Sequence, residues 1–241
     1  MFEFLENKIK NIEIYDTIGS TNDRAKELAL NGAEDGSVII ADVQTMGRGQ
    51  KGRSFYCESG QGLYMSVILR PEIPAGEAMG ITARVAVAVA EAIESLVPCD
   101  VKIKWVNDLY LNGRKICGIL TEGSAESGIL KYAVVGIGVN TGKIEFPSEL
   151  LNIATSVFNE TGCLISREEL AYEIIKRIKS YDAGFMEKYR KRSLLFGKTV
   201  SVKLADREFD AVVSDIDENG FLVVTEGGRE TVISSGEVRL L

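Results

Sequence analysis

The spacing of hydrophobic residues over the first 140 positions predicts an alternation of strands and helices. Ser20 offers the N-cap of a helix that ends at Asn31-Gly32, and the alanine- and valine-rich run Gly76–Val97 predicts a mostly buried helix that Pro98 stops. Continuous or alternating apolar runs predict strands at Ile12–Ile18, Ser37–Val43, Gly62–Arg70, Val101–Trp105, Asp108–Leu111, Lys115–Thr121 and Leu130–Val139.

Turn-forming residues organise the rest of the chain. Asn112-Gly113 is the preferred dipeptide of a two-residue hairpin between strands. Ser166 caps a helix that extends to about Arg190 with an interruption near Gly184. From Gly197 onward the pattern changes to short β runs, at Thr199–Leu204, Phe209–Ile216, Phe221–Thr225 and Glu230–Ile233.

These two patterns predict an α+β fold with two domains. A mixed-sheet domain at residues 1–192 precedes a small antiparallel barrel at residues 193–241, and the basic stretch KYRKRS forms the junction. The chain has 241 residues, of which 45% are hydrophobic, so it can build a sizeable core.

Composition narrows the chemistry that the protein can perform. With no histidine, the chain lacks the usual general base and the commonest transition-metal ligand, so catalysis must depend on Lys, Arg, Asp, backbone dipoles or a hard cation. The net charge of -7 disfavours nonspecific nucleic-acid binding. No apolar run reaches membrane-spanning length, no signal-peptide core is present and the four cysteines have no paired spacing, so we expect a cytoplasmic protein that binds neither DNA nor membrane.

The segment Gly47–Arg53 combines three cations with three glycines directly after an apolar run. Glycines let main-chain amides approach a ligand, and Arg and Lys donate charge-assisted hydrogen bonds to phosphate or carboxylate. Taken alone, the segment fits an anion-binding loop or a solvated basic loop equally well.

Four motifs together distinguish these readings. They are Ser20-Thr21-Asn22, Gly47–Arg53, Lys104–Asp108 followed by Arg114–Gly118, and Gly136–Asn140. In this order and over the whole chain they resemble biotin protein ligase, the enzyme that attaches biotin to a lysine of biotin-dependent carboxylases. The resemblance is to the short monofunctional class, because larger relatives carry a DNA-binding domain ahead of the first motif. It implies a biotin/lipoate ligase-like catalytic domain and an SH3-like C-terminal barrel.

The resemblance implies a biotin site of short polar side chains, which suit the N–H donors and carbonyl of a ureido ring. Ser20 has the alternative role of helix cap, and Tyr64 and Ser66, on one face of one strand, could simply be a half-buried sheet face. The implied biotin-binding residues are Ser20, Thr21, Asn22, Gln44, Arg48, Gly49, Gln50, Tyr64, Ser66, Lys115 and Gly118.

The resemblance also implies a nucleotide site and a catalytic set. Lys115, Arg48 and Asp108 are the implied catalytic residues, and Asp108 either engages Mg²⁺ or deprotonates the incoming lysine. Trp105 is expected in the core rather than stacked on adenine. The implied nucleotide-binding residues are Lys51, Arg53, Phe55, Lys104, Asn107, Asp108 and Asn140.

Three positions depart from the pattern of the family. Val106 replaces a common proline, and Phe55 replaces a tryptophan and so lacks an N–H donor. Gln50 replaces an arginine, and a neutral amide cannot form a bidentate charged clamp on an anion.

The implied reaction forms biotinoyl-5′-adenylate and pyrophosphate from biotin and Mg·ATP, and then transfers biotin to a lysine of a biotin carboxyl carrier protein with release of AMP. A lipoate or octanoate ligase of the same fold, a catalytically silent biotin sensor and a structural module built on the C-terminal barrel are the alternatives. The lipoate reading requires a longer apolar tunnel, against which Ser20, Thr21 and Gln44 argue. The family often pairs subunits through sheet edges, which leaves a homodimer open.

Overall fold

The computed structural model describes residues 2–52, 55–180 and 182–241, except for the side chain of Lys51. The helices are α1 (Glu3–Glu6), α2 (Thr21–Leu30), α3 (Ala78–Leu96), α4 (Val157–Thr161), α5 (Arg167–Lys179) and α6 (Phe185–Lys191). The strands are β1 (Ile12–Ile18), β2 (Val38–Gln44), β3 (Gly62–Leu69), β4 (Lys102–Lys104), β5 (Asp108–Leu111), β6 (Arg114–Glu126), β7 (Ile129–Asn140), β8 (Thr199–Lys203), β9 (Glu208–Ile216), β10 (Leu222–Glu226), β11 (Arg229–Ile233) and β12 (Glu237–Leu240).

The first seven strands form one mixed sheet in the order β1-β2-β3-β7-β6-β5-β4. Strands β1 and β2 are parallel, and every other neighbouring pair in this sheet is antiparallel. The α+β fold class expected from the sequence is therefore confirmed.

Helices cover both faces of this sheet. The side chains of β3 point alternately to the two faces, so one strand contacts helices on both sides. Met65 and Val67 pack with the buried residues of α3 and α5, whereas Ile68 packs with Ala25 and Ala29 of α2 on the opposite face. Helix α3 is buried along most of its length, which its alanine and valine content allows. The candidate site described below lies on the α2 face of the sheet.

The hairpin between β5 and β6 places the implied catalytic residues side by side. Asn112 (φ 48°) and Gly113 (φ 81°) both occupy the left-handed region, as a tight type I′ turn requires. The register pairs Asp108 with Gly118 and Tyr110 with Lys115. The Asn-Gly signal in the sequence thus predicts this hairpin correctly.

The C-terminal residues form a separate five-stranded antiparallel sheet in the order β11-β10-β9-β8-β12, which is the expected SH3-like barrel. Trp105 is 7% exposed in the core, and its indole N–H donates to the Gly220 carbonyl at 2.9 Å, so the expectation of a core tryptophan is confirmed. The Arg190 Nε also donates to the Ile216 carbonyl at 2.5 Å. The boundary between residues 192 and 193 stays a prediction.

Three short elements escaped the sequence prediction: α1, α4 and β12. The long helix expected after Ser166 is two helices, α5 and α6, and it breaks just before Gly184 as expected. Within the described residues, no helix is both long and apolar enough to cross a membrane.

Candidate active site

A cavity of about 710 Å³ opens on the α2 face of the mixed sheet. It collects residues from the α2 turn, the glycine loop, the β5–β6 hairpin, the end of β7 and β12. The residues expected from the sequence that line it are Ser20, Thr21, Asn22, Gln44, Arg48, Gly49, Gln50, Phe55, Lys104, Asn107, Asp108, Lys115, Gly118 and Asn140.

One end of the cavity is a polar turn at the start of α2. The Gln44 Oε1 accepts hydrogen bonds from the Thr21 backbone N–H at 2.8 Å and from the Thr21 hydroxyl at 3.0 Å. Ser20 occupies the N-cap position, yet its side chain makes no capping hydrogen bond. Its hydroxyl is therefore available at the cavity wall, where the sequence left capping as an alternative role.

Tyr64 and Ser66 are fully buried behind this lining. The Tyr64 hydroxyl accepts from the Glu58 N–H at 2.9 Å, and its ring packs edge-on against Phe55. The Ser66 hydroxyl lies 2.8 Å from the Thr21 hydroxyl. In the described structure both residues support the wall, and their direct contact with biotin stays a prediction.

The floor of the cavity is made of glycines on β6 and β7. A Cβ on Gly138 would lie 2.8 Å from the Phe55 Cε1, and a Cβ on Gly118 would lie 3.2 Å from the Lys115 Nζ. Real Cβ atoms almost never approach as closely as 2.8 Å, so a side chain at Gly138 would displace Phe55, whereas a side chain at Gly118 would require only a small shift of the Lys115 ammonium.

The centre of the cavity holds an ion pair and a second lysine. The Lys115 Nζ lies 2.6 Å from the Asp108 Oδ1, and each side chain is about a quarter exposed, at 27% and 25%. Lys104 makes no ion pair within the described residues. Burial lowers the pKa of Lys104, and neighbouring Lys115 lowers it further, while Asp108 opposes the shift. The centre thus has two lysines, Lys104 and Lys115, beside the single carboxylate of Asp108. This surplus of positive charge favours binding of an anion.

Two asparagines frame the centre. The Asn107 Nδ2 donates to the Ile119 carbonyl at 2.5 Å, which fixes the segment between β4 and β5. The Asn140 Nδ2 donates to the Thr155 carbonyl at 3.0 Å, whereas its buried Oδ1 has no hydrogen-bond partner among the described residues. A buried acceptor without a partner is costly, so this oxygen is suited to accept from a ligand.

The glycine loop reaches over the cavity from β2. Arg48 pairs with Asp23 of α2, with both side chains nearly half exposed. Gln50 is exposed at the start of a single 3-10 turn, Gln50–Gly52. Arg53 and the side chain of Lys51 lie outside the described residues, so their implied contacts with the nucleotide stay predictions.

Sequence reasoning missed the contribution of the C-terminal barrel. Strand β12 brings Glu237 and Arg239 to the cavity wall, more than a hundred residues after Lys115. Val238 and Leu240 alternate with polar residues, but a run of four residues is too short to predict a strand. Nothing in the sequence places β12 beside the mixed sheet.

The described residues contain no group of three or more acidic, cysteine or histidine side chains arranged to hold a metal ion. Any metal at this site must therefore bring other ligands with it. Mg²⁺ commonly binds through one or two carboxylates together with substrate phosphates, and Asp108 supplies one carboxylate here.

Comparison with known proteins identifies the chain. Residues 15–140 match the model of the biotin/lipoate A/B protein ligase family, and residues 195–241 match the biotin protein ligase C-terminal domain. The chain is 36% identical to the bifunctional ligase/repressor BirA of Bacillus spizizenii over 91% of this chain and 71% of that protein. It is 29% identical to the biotin–[acetyl-CoA-carboxylase] ligase of Paracoccus denitrificans, covering 91% of this chain and 96% of the relative.

A solved structure of similar fold is the biotin protein ligase from Aquifex aeolicus in complex with biotin and ATP. It has a TM-score of 0.80 and 28% sequence identity, and the match covers 97% of this chain and 99% of that one. The matched family models span both the mixed sheet and the barrel described above. This chain belongs to the biotin/lipoate A/B protein ligase family, and its relatives within that family are biotin protein ligases.

Proposed function

We propose that the protein is an ATP-dependent biotin protein ligase that works in two steps. The biotin carboxylate attacks the α-phosphate of ATP, which gives biotinoyl-5′-adenylate and pyrophosphate. The ε-amine of a carrier lysine then attacks the acyl carbon of the mixed anhydride, loses a proton and expels AMP. One observation carries this proposal: a single cavity joins a polar turn suited to a ureido ring to a cationic centre suited to phosphate.

Thr21 and Gln44 define the biotin end of the cavity. Because the Gln44 Oε1 already accepts two hydrogen bonds from Thr21, the Gln44 amide is oriented and its N–H₂ group is turned away from Thr21. A ureido ring offers both N–H groups and a carbonyl, so it can satisfy a hydroxyl and an amide together. A lipoyl dithiolane has no such groups, and it would leave these polar atoms unpaired.

Lys115 and Arg48 serve the acid and the α-phosphate during adenylation. In the free protein Lys115 contacts Asp108. As the carboxylate approaches the α-phosphate, Lys115 leaves Asp108 and stabilises the negative charge that develops on the reacting oxygens. Arg48, released from Asp23, brings the glycine loop over the adenylate. Closure of the loop keeps water from the anhydride, which otherwise hydrolyses.

The nucleotide end lies between Lys104, Asn140 and the barrel residue Arg239. The partly buried Lys104 ammonium offsets the charge of the phosphates, and the Asn140 Oδ1, which has no partner among the described residues, accepts from the adenylate portion. Arg239 extends the cationic wall from β12. The barrel is accordingly part of the substrate site rather than an independent module.

Asp108 would hold Mg²⁺ that arrives with the triphosphate, because such an ion is commonly bound by one or two carboxylates together with substrate phosphates. A bound ion would supply positive charge to the phosphates and so favour departure of pyrophosphate. In the second step Asp108, 2.6 Å from the Lys115 ammonium, is placed to accept the proton that the incoming lysine loses. Positioning and fixed charge supply the remaining acceleration, and no histidine is required.

The proposed macromolecular substrate is a biotin carboxyl carrier protein domain, and the proposed location is the cytoplasm. A DNA-binding role is not part of the proposal. Among the described residues no strand pairs with the outer edge of β1, so this edge is the one available for pairing in a homodimer, whereas residues 192–194 already bond to Ile103 at the β4 edge. Gel filtration with light scattering measures that state directly.

Biotin-dependent exchange of pyrophosphate into ATP tests the substrate assignment. We expect exchange with biotin and little with lipoate at equal concentration, because the polar turn suits the ureido ring. Preference for lipoate would contradict the assignment. Exchange with neither acid, from protein of normal melting temperature, would favour a silent binding protein.

A further inference from the structure

A second cavity, of about 560 Å³, lies on the α3 and α5 side of the mixed sheet, opposite the α2 face. Residues of β3, α3 and α5 line this α3 cavity, together with Phe185 of α6 and with Glu218 and Asn219 from the turn between β9 and β10. Among the described residues it shares no lining residue with the candidate active site. Its volume and its place at the junction with the barrel are typical of small-molecule sites.

The inner walls of the α3 cavity are apolar. The apolar side chains that line it include Val67, Leu69, Ile81, Ile175, Ile178 and Phe185. Gly80, in the first turn of α3, contributes no side chain, and a Cβ there would meet only the Phe185 Cζ, at 4.0 Å, which is an ordinary contact distance. The space in front of α3 is therefore open, and its walls suit an apolar ligand.

One cation lines these apolar walls without a partner. Arg84 lies one turn after Gly80 on α3 and is partly buried. Its Nε is buried without a hydrogen-bond partner, and among the described residues the Arg84 side chain makes neither a hydrogen bond nor an ion pair. A buried donor that stays unpaired is costly, so this arginine suits a ligand that brings an acceptor.

The other charged groups at the α3 cavity limit the charge that such a ligand can carry. The Arg70 guanidinium is already engaged, since it donates to the carbonyls of Ala29 and Ala33. Lys179 is exposed. Three exposed carboxylates also line the cavity, those of Asp35, Glu77 and Glu218. These carboxylates repel a polyvalent anion, so the surroundings favour a ligand with a single negative charge.

We propose that the α3 cavity binds a small monocarboxylate with an apolar chain, and that Arg84 pairs with the carboxylate of this ligand. The chain packs against the isoleucines of α3 and α5, and the carboxylate accepts the charge-assisted hydrogen bonds that Arg84 does not make within the protein. This site is separate from the biotin and nucleotide cavity, and it goes beyond the proposed function.

Calorimetric titration with nonanoate and with the neutral nonan-1-ol tests the site without biotin, ATP or turnover. The wild type should bind nonanoate about tenfold or more tightly than the alcohol, because only the carboxylate pairs with Arg84. Arg84→Met should weaken nonanoate about ten- to a hundredfold and leave the alcohol unchanged. Gly80→Leu fills the space in front of α3 with a better helix former and should weaken both ligands.

Two substitutions outside the α3 cavity are the matched controls. Gly76→Leu adds the same side chain just before α3, where a Cβ would meet nothing within 4 Å. Arg207→Met removes an exposed arginine that pairs with Glu226 in the barrel. Both variants should bind nonanoate as the wild type does.

Three results would overturn the proposal. One is a wild-type protein that shows no saturable binding of nonanoate. Another is equal affinity for nonanoate in the wild type and in Arg84→Met. The third is undiminished binding in Gly80→Leu, which would mean that the carboxylate binds elsewhere. Thermal melting checks that each variant is folded, and Arg84→Met should melt no lower than the wild type because it removes an unpaired donor.

Discussion

Replacing Lys115 with methionine isolates the charge at the centre of the cavity, because the variant keeps a long unbranched side chain. In the free protein the Lys115 Nζ lies 2.6 Å from the Asp108 Oδ1, with both side chains about one quarter exposed. We expect adenylation to lose most of its rate while the fold remains. The charge acts on the transition state, in which negative charge develops, more than on bound biotin.

The exposure of the ion pair determines how large the losses in rate and in stability should be. One charge-assisted contact contributes roughly 1.5–3 kcal/mol, and a preorganised donor at a developing charge about a hundred- to a thousandfold in kcat. The stability cost is smaller, about 1 kcal/mol, because solvent screens a pair that is partly exposed. For a chain of this size that corresponds to a fall of about 2–4 °C in Tm.

Single-turnover formation of labelled adenylate measures the chemical step, and thermal melting measures the fold. Lys131→Met is the control, since Lys131 is also a strand lysine with an acidic partner, but 52% exposed and outside the cavity. It should adenylate at the wild-type rate. If Lys115→Met also formed adenylate within about twofold of wild type, which is less than 1 kcal/mol, Lys115 would have no part in the reaction.

Three further substitutions test other parts of the site. Gln50→Arg should slow release of the adenylate from carrier-free enzyme by about ten- to a hundredfold, because it adds one charge-assisted contact; equal release rates in a trapping assay would show that Gln50 or its neighbours already hold the intermediate. Lys104→Met should raise the KM for ATP about tenfold or more and raise the Tm of the ligand-free protein at neutral pH, because burial lowers the pKa of Lys104 and so opposes its charged form. That cost is present below the folded-state pKa and disappears as pH rises toward the unfolded value, so a Tm gain that grew with pH would contradict the reasoning. Gly136→Ala should weaken biotin binding in titrations, because a Cβ there would lie 2.2 Å from the Asn22 Oδ1; unchanged affinity would mean that Asn22 does not shape the pocket.

Local signals in the sequence predicted most of the fold. The dipeptide Asn112-Gly113 predicted the hairpin that brings Asp108 and Lys115 together. A type I′ turn needs two residues with positive φ, and Asn-Gly is the dipeptide that adopts this conformation most readily. Helix α3 was predictable because its small apolar residues suit only a buried helix. Strand β12 was not, because four residues carry little periodic signal and pair with β8, about forty residues earlier.

The candidate site was predictable as a set of motifs rather than as a geometry. The sequence left Ser20 with two roles, biotin contact or helix cap, and only the structure shows that the helix does not use its hydroxyl. Ser66 was expected on the pocket face of β3, and its side chain does point to that face. It is fully buried there, because Thr21 of α2 lies over it. The position of Arg239 depends on the packing of the barrel against the mixed sheet, which no local pattern encodes.

Transfer of biotin to a carrier lysine tests the central claim most directly. The purified chain is incubated with biotin, Mg·ATP and a biotin carboxyl carrier domain, and the intact mass of the carrier is measured. We predict a gain of one biotinoyl group that requires both ATP and biotin and that is absent when the acceptor lysine of the carrier is replaced by arginine. An unmodified carrier, under conditions in which an established biotin protein ligase modifies it fully, would contradict the account.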